Sequence, residues 1–260
     1  MTSGDVRYHR QFRSSAIPDP HDVLVYLPPG YEADQRRRYP VLYLQDGQNV
    51  FDGETAFIHG QEWGVDDSAE HLIREGAVKP VIIVAVYNAG PNRIDEYTPT
   101  RDHKTKRGGK AYLYGRMLVR DLKPFIDSTY RTLRDRKHTG LGGSSLGALV
   151  TLYLGLKHAD VFGKLAVMSP SVWWDNRAIV KMVNDFEDLE RPMIWLDVGT
   201  QEGGAPRRTL ADTRQLRDAL VTQGWHLGTN LGYYEAIGAD HSERSWARRV
   251  PTMLKFLFGK

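Results

Sequence analysis

The stretch GGSSLG at residues 142–147 joins a short strand-like run to a long apolar run. It contains the pattern G-x-S-x-G, which exposes a serine hydroxyl where a strand turns sharply into a helix. Gly143 leaves room where a side chain would collide with the turn, and Gly147 lets the following helix approach the sheet closely. The pattern therefore predicts a nucleophile at Ser145 rather than at Ser144.

The residues after this turn decide how the pattern is interpreted, because G-x-S-x-G also occurs by chance in turns rich in glycine and serine. Apolar residues recur there at helical spacing: Leu146, Leu149, Val150, Tyr153, Leu154 and Leu156. The order of strand, turn and helix that the pattern requires is therefore present.

The size and composition are ordinary for one globular domain, and we expect residues 1–260 to form a single domain. Apolar residues make up 41% and charged residues 26% of the chain. The 35 Lys and Arg residues against 32 Asp and Glu residues leave a net charge of only +3. A surplus this small gives little support to nucleic-acid binding.

The chain has no cysteine, so disulfides, thiolate metal sites and a cysteine nucleophile are excluded. Residues 1–13 contain no apolar run typical of a signal peptide, although a leader already removed would leave no trace. No stretch approaches the roughly 18 apolar residues that a membrane helix needs. We expect a cytoplasmic protein without a membrane partner.

Apolar strand-like runs alternate with helical patterns, which favours an α/β fold. The predicted strands are 23–27, 41–45, 81–87, 139–141, 164–168 and 193–198. The predicted helices are 67–75, 112–130, 146–158, 178–186, 207–223 and 242–258. Because several strands are apolar on both faces, we expect a mostly parallel central sheet flanked by helices on both faces. The PPGY turn at 28–31 indicates an early antiparallel strand before it.

A serine nucleophile of this kind needs an acid after a late strand and a histidine near the C-terminus. Glu202 lies in the loop after the strand 193–198, at the edge of the sheet where Ser145 is expected. Asp197 is the alternative acid, but it falls inside the apolar strand. We therefore favour Glu202 and keep Asp197 as the alternative.

His241 is the preferred base because it follows both acids and lies in a loop before the last helix. The other histidines lie in early strands, on helix faces or before the acid, where structural or exposed roles are more common: His9, His21, His59, His71, His103, His138, His158 and His226. A metal site could be formed by His241 with Asp240 and Glu243. However, no two histidines are spaced to share one helical face and the H-E-x-x-H motif is absent, so we expect no metal site.

Attack on an ester places negative charge on the carbonyl oxygen, which two backbone N–H groups should stabilise. Leu146, directly after the nucleophile, supplies one. The second is expected from the loop after the strand 41–45, where Gly47 points to the amide of Gln48.

Four further residues are candidates for contact with a substrate. Trp173 and Trp174 follow a strand on the predicted active edge, where they either wall a pocket or simply anchor a loop by burying area. Trp63 and Arg93 lie in loops that face the cleft. Arg93 either meets an anionic substrate or pairs with a neighbour such as Glu96.

At this point the sequence resembles the esterase family of α/β-hydrolases that includes enterochelin esterases, S-formylglutathione hydrolases, feruloyl esterases and mycolyltransferases. The resemblance covers most of the chain and is strongest to the enterochelin esterase branch. It is carried by LPPGY at 27–31, YPVLYLQDG at 39–47, the Ser145 turn, SPS at 169–171, and His241 followed by Trp246.

This resemblance implies an α/β-hydrolase fold and a cofactor-free ester hydrolase. Ser145 would be the nucleophile, His241 the base, Glu202 the orienting acid, and Gln48 would lie near the oxyanion. We expect the partner to be a small siderophore-like, aromatic or short-acyl ester. Two alternatives are an acyltransferase that uses the same acyl-enzyme and a binding protein that has kept the fold without the chemistry.

Overall fold

The computed structural model describes residues 4–260, so the predicted domain 1–260 includes three residues outside the described range. The strands are β1 (Asp5–Phe12), β2 (His21–Leu27), β3 (Val41–Leu44), β4 (Ile82–Val86), β5 (Thr139–Ser144), β6 (Lys164–Met168), β7 (Met193–Gly199) and β8 (Leu231–Ala236). The helices are α1 (Val65–Arg74), α2 (Arg93–Tyr97), α3 (Ala111–Arg116), α4 (Lys123–Thr129), α5 (Leu146–Lys157), α6 (Ala178–Asn184), α7 (Pro206–Thr222), α8 (Glu243–Ala247) and α9 (Val250–Phe258).

All of these strands join one sheet in the order β1-β2-β4-β3-β5-β6-β7-β8. The pairs from β4 through β3 to β8 are parallel, whereas β2 pairs antiparallel with both β1 and β4. The chain leaves β2 through a turn in which the amide of Tyr31 donates to the carbonyl of Pro28, at 3.0 Å. The predicted parallel sheet and early antiparallel strand are both confirmed.

Each face of the sheet is covered by helices because successive strand residues point to opposite sides. Val23 and Val25 face a core completed by helices such as α4, α5, α6 and α7. Leu24 and Tyr26 face the other core, which α1 and α9 cover. The prediction of helices on both faces is therefore correct.

Two predicted helices are broken in the structure. In the region 112–130, α3 continues into a wider π-type segment, Met117–Leu122, before α4 begins. Pro124 has no N–H to donate to the carbonyl of Arg120, so regular α-helical bonding cannot run through it. Region 242–258 divides into α8 and α9, and Pro251 stands in the first turn of α9, where its missing N–H costs nothing.

The carboxyl ends of the parallel strands lie along one edge of the sheet. The segments that leave β3, β5, β6, β7 and β8 at this edge contain, in that order, Gln48, Ser145, Ser171, Glu202 and His241. In residues 4–260, no helix combines the length and apolar character needed to cross a membrane.

Candidate active site

Ser145 occupies a strained turn between β5 and α5. Its backbone has φ 56° and ψ −122°, a combination that residues other than glycine rarely adopt. A Cβ atom at Gly143 would come within 2.7 Å of the backbone of Gly147, so only glycine fits there. A Cβ at Gly147 would lie 3.1 Å from the side chains of Gln45 and Asp46, where α5 passes the end of β3. Both glycines therefore have the close contacts that the sequence predicted.

The structure brings Ser145, His241 and Glu202 together in one hydrogen-bonded chain. Nε2 of His241 lies 3.0 Å from Oγ of Ser145, and its Nδ1 lies 2.9 Å from Oε2 of Glu202. An ionised carboxylate accepts only, so Nδ1 carries the ring proton and Nε2 is free to accept from the serine hydroxyl. Glu202 is fully buried, whereas the His241 side chain is 34% exposed. Hence a substrate can reach the serine and histidine but not the acid.

The second oxygen of Glu202 is anchored separately. Oε1 accepts a hydrogen bond from the amide of Gly199 at 2.6 Å and one from Oγ of Ser169 at 2.5 Å. Ser169 in turn lies 3.0 Å from both Nε1 of Trp246 and Nη2 of Arg249. The hydrogen bonds to Oε1 therefore fix the orientation of the carboxylate, and Oε2 is left to accept a hydrogen bond from His241.

The structure assigns Asp197, the alternative acid, to different partners. Its Oδ1 forms an ion pair with Nη1 of Arg249 at 2.8 Å, and its Oδ2 accepts from Nε1 of Trp195 at 2.8 Å. Complete burial raises the pKa of Asp197 to about 6, against the opposing effect of Arg249. Asp197 therefore lies behind the acid as a counter-ion of Arg249 and does not bond to His241.

The loop after β3 lies beside Ser145 and includes Gln48, the predicted oxyanion residue. Asp46 enters it in the left-handed region with φ 55°, and a Cβ at Gly47 would come within 2.6 Å of the backbone of β4. Gln48 and Ser145 line the same cavity. On the other side of the serine, Leu146 is the first residue of α5, where a helix leaves its N–H without an intrahelical partner.

Arg93 reaches this loop, but its partner differs from the one suggested by the sequence. Its guanidinium makes a bidentate ion pair with Asp46, with Nε to Oδ1 at 2.6 Å and Nη2 to Oδ2 at 2.7 Å. Glu96, the suggested partner, lies instead 3.4 Å from Nε2 of His21. The sequence suggested Glu96 because it is a neighbour of Arg93 in the chain, whereas Asp46 is far away in sequence. Arg93 therefore braces the Gln48 loop while still facing the cavity.

The cavity over Ser145 and His241 has a volume of 400 Å³. Its lining includes Asn88, Arg93 and Glu243 together with the exposed ring of Phe57, which is 85% accessible. Burial raises the pKa of Glu243, with Asp46 adding to the effect and His241 opposing it. In the sequence, Glu243 stands out only as a possible metal ligand next to His241, and Asn88 belongs to no motif.

A larger cavity of 670 Å³ lies next to the loops that follow β6 and β7. Trp173 lines it and is 56% exposed. Trp174 is 5% exposed and donates from Nε1 to the carbonyl of Thr100 at 3.0 Å, so it both lines the cavity and anchors the loop. The cavity also carries the basic side chains Lys104, Arg107, Arg177 and Arg208 and the carboxylates Asp102 and Asp212.

The prediction for Trp63 needs correction. Its side chain is 2% exposed and lines neither of these cavities. Its ring packs against Trp246 with 5.9 Å between centroids, and Trp246 contacts His241 edge-on at 5.0 Å. Trp63 is therefore a core residue that supports the site from below, because its large apolar surface is better buried than exposed in the cleft.

The sequence matches the family described as "Putative esterase" over residues 14–257. Uncharacterized protein YbbA of Bacillus subtilis is 25% identical over 245 residues, which cover 91% of this chain and 92% of that protein. Ferri-bacillibactin esterase BesA of Bacillus subtilis is 28% identical over 222 residues, with 78% and 73% covered.

Among solved structures, a CE1 ferulic acid esterase from Anaeromyces mucronatus in complex with ferulic acid superposes with a TM-score of 0.70. It is 19% identical, and the match covers 98% of this chain and 90% of that chain, a likeness that shows the shared α/β-hydrolase fold. The family match extends over most of the chain, from before β2 into α9. The chain therefore belongs to the Putative esterase family and is a carboxylic ester hydrolase.

Proposed function

We propose that this chain hydrolyses its ester through an acyl-enzyme on Ser145, with His241 as general base and Glu202 as the orienting acid. The observation that carries the proposal is the chain of hydrogen bonds from Oγ of Ser145 through both nitrogens of His241 to Glu202. This is the geometry by which a base activates a serine and an acid holds the base in the correct tautomer.

In the first half of the proposed reaction, Oγ of Ser145 attacks the carbonyl carbon of the ester while its proton moves to Nε2 of His241. The amides of Leu146 and Gln48 stabilise the negative charge that forms on the carbonyl oxygen. The bond to the alcohol oxygen then breaks, and this oxygen leaves with the proton from His241.

In the second half, a water molecule loses a proton to His241 and attacks the acyl carbon. Collapse of this intermediate releases the acid and returns the proton to Ser145. Glu202 remains ionised throughout and stabilises the imidazolium that forms in each half.

The test is hydrolysis of a chain-length series of p-nitrophenyl esters by the wild type and Ser145→Ala, together with labelling by a fluorophosphonate probe. We expect short esters to be cleaved, and kcat to fall at least about 10³-fold in the variant. The probe should label the wild type but not the variant. Turnover that survives in Ser145→Ala would refute the nucleophile, and a wild type that neither cleaves nor reacts would favour a binding protein.

For the substrate class, we propose an aromatic ester that carries negative charge, as in siderophore-like esters. The larger cavity offers the exposed ring of Trp173 for stacking and more basic than acidic side chains for an anion. Trp173 lies two residues after Ser171 in the chain, and the hydroxyl of Ser171 lies 3.3 Å from that of Ser145, so a short segment connects a wall of this cavity to the site of attack. Among the relatives, BesA is named a ferri-bacillibactin esterase.

This substrate class is tested by comparing esters of 2,3-dihydroxybenzoic acid, ferulic acid and acetic acid. Trp173→Ala should raise KM about 10-fold for the two aromatic esters and leave the acetate ester unchanged. Leu189→Ala, which removes another exposed apolar side chain outside both cavities, is the matched control. Equal effects on all three esters would contradict a role of Trp173 in aromatic recognition.

A further inference from the structure

Two buried charged side chains, Arg249 and Asp197, lie behind the side of Glu202 that faces away from His241. The guanidinium of Arg249 stands between two carboxylates, 2.8 Å from Oδ1 of Asp197 and 3.6 Å from Oε1 of Glu202. None of these side chains is more than 3% exposed. With one positive and two negative groups, the cluster carries a net charge of −1 while His241 is neutral.

The hydroxyl of Ser169 links Arg249 to Glu202, because it accepts a hydrogen bond from the first and donates one to the second. Its oxygen lies 3.0 Å from Nε1 of Trp246 and 3.0 Å from Nη2 of Arg249. Both nitrogens can only donate, so the proton of the hydroxyl must point to Oε1 of Glu202, 2.5 Å away. Arg249 therefore acts on the acid both through space and through this hydroxyl.

We infer that Asp197, Arg249 and Ser169 are positioning residues that set the charge and orientation of Glu202 and thereby the proton affinity of His241. The inference rests on the proposed function of this site. When His241 takes the proton of Ser145, its positive charge is balanced by the net −1 of the buried cluster. Asp197 neutralises Arg249 so that the charge of Glu202 is left for the imidazolium.

Other charged groups also face His241, and they bear on the design of a test. Glu243 on α8 interacts with it electrostatically, Asp240 precedes it in the chain, and the ion pair of Asp46 with Arg93 lies across the same cavity. These groups stay in place in every variant of the buried cluster, so differences between those variants report on the cluster alone.

The decisive experiment compares Asp197→Asn, Arg249→Gln and the double variant. Two readouts are the midpoint of the rise of kcat/KM with pH and the titration of the His241 ring followed by NMR, assigned with His241→Ala. Loss of the negative charge in Asp197→Asn should move both midpoints down by on the order of 0.5–1 pH unit. Loss of the positive charge in Arg249→Gln should move them up by less, because Asp197 without its counter-ion binds a proton more readily and so loses part of its own charge. The double variant should return close to the wild-type midpoint.

A purely structural role cannot produce shifts of opposite sign that cancel in the double variant. Arg249→Lys keeps the charge and should keep the midpoint, whereas Glu243→Gln identifies the part of the profile that belongs to Glu243. No downward shift in a folded Asp197→Asn protein, or a downward shift in a folded Arg249→Gln protein, would overturn the inference. Because the NMR titration needs no turnover, this result is separate from a failure of the proposed esterase, which would appear as absent turnover and probe labelling in the wild type.

Ser169→Ala provides a test if the charge variants do not fold. It removes the hydroxyl between Arg249 and Glu202 without changing any charge. We expect kcat to fall about 10-fold while KM stays constant, since Oε1 keeps only the hydrogen bond from the amide of Gly199 and the carboxylate is held less firmly. Wild-type kcat in this variant would overturn the inference.

Discussion

At the scale of single residues, the two oxygens of Glu202 are held by different partners. Oε1 is anchored by backbone and hydroxyl donors, and Oε2 contacts only the ring of His241 among the hydrogen bonds described above. Glu202 therefore both orients the ring of His241 and places a negative charge beside it, and a substitution can remove the charge while keeping the shape.

The variant Glu202→Gln keeps the shape of the side chain and removes its charge. An amide cannot stabilise an imidazolium and can hold the ring in the wrong tautomer, so we expect kcat to fall about 10²–10⁴-fold with little change in KM. Steady-state hydrolysis of p-nitrophenyl acetate measures this. Glu187→Gln, an exposed acid in the loop before β7, is the control, and wild-type kcat in Glu202→Gln would remove Glu202 from the proposed triad.

Arg93 has two possible roles that the sequence left open, and a single variant can decide between them. If it braces the Gln48 loop through Asp46, Arg93→Met should lower kcat about 10-fold for neutral and anionic esters alike, because the buried carboxylate loses its partner and the loop loosens. Added guanidinium should restore part of the rate. If Arg93 instead binds substrate, KM will rise for anionic esters only, so the separate values of kcat and KM decide between the roles.

At the scale of elements, the turn between β5 and α5 is a tight steric constraint on the site. Gly143→Ala would place a Cβ 2.7 Å from the backbone of Gly147, which cannot yield as a flexible side chain would. We expect a loss of about 1–3 kcal/mol in the free energy of unfolding and a large loss of kcat. Gly204→Ala, which meets nothing within 4 Å, should change stability by less than about 0.5 kcal/mol.

Urea denaturation of the two alanine variants checks this prediction. A Gly143→Ala protein as stable and active as Gly204→Ala would show that the turn relaxes freely, and the strain argument for Ser145 would then fail.

Elements with strong local patterns could be predicted from the sequence, and long-range pairings could not. The strands β6 and β7 and the helix α5 were placed within a residue or two, because their apolar runs leave few alternatives. β1 was missed because it lies at the edge of the sheet and its residues are half-buried or exposed, without a clear apolar alternation. The chain order of Ser145, Glu202 and His241 follows from the motif, so their proximity could be anticipated.

The remaining residues of the site depend on contacts far apart in sequence. The partner of Arg93 is 47 residues away, and Arg249 reaches Asp197 across 52 residues. Nothing in the local pattern near SPS at 169–171 indicates that the hydroxyl of Ser169 bonds to Glu202. Burial of Trp63 also depends on the packing of α8, which its own neighbours do not reveal.

At the scale of the whole molecule, the sheet collects side chains from distant parts of the chain at one edge. The sequence could predict this convergence because parallel strands end on the same side. β8 is the last strand at one end of this sheet, and within residues 4–260 no further strand pairs with its outer edge. One face of β8 contacts α7. Arg214 on α7 bonds both carboxylate oxygens of Glu235 on β8, each at 2.8 Å.

This pair makes stability depend on pH in a defined direction. The hydrogen bonds from Arg214 lower the pKa of Glu235 to about 2, below the value of about 4.3 expected in an unfolded chain. The folded state therefore favours the ionised form, so the stabilisation is present above about pH 4.5 and is lost as the pH falls towards 2. Because the Arg214 side chain is 49% exposed, solvent screening keeps the effect small.

We expect Glu235→Gln to lower the free energy of unfolding at pH 7 and to lower it progressively less between pH 5 and pH 3. Urea denaturation of both proteins across this range measures the difference, with Glu187→Gln as a control that should stay near zero throughout. A difference that is constant from pH 7 to pH 3 would mean that packing of the side chain, and not its charge, joins β8 to α7. A difference that becomes smaller as the pH falls would show that the charge of Glu235 helps to hold α7 against β8. Protonation of Glu235 would then weaken the contact between this helix and this strand.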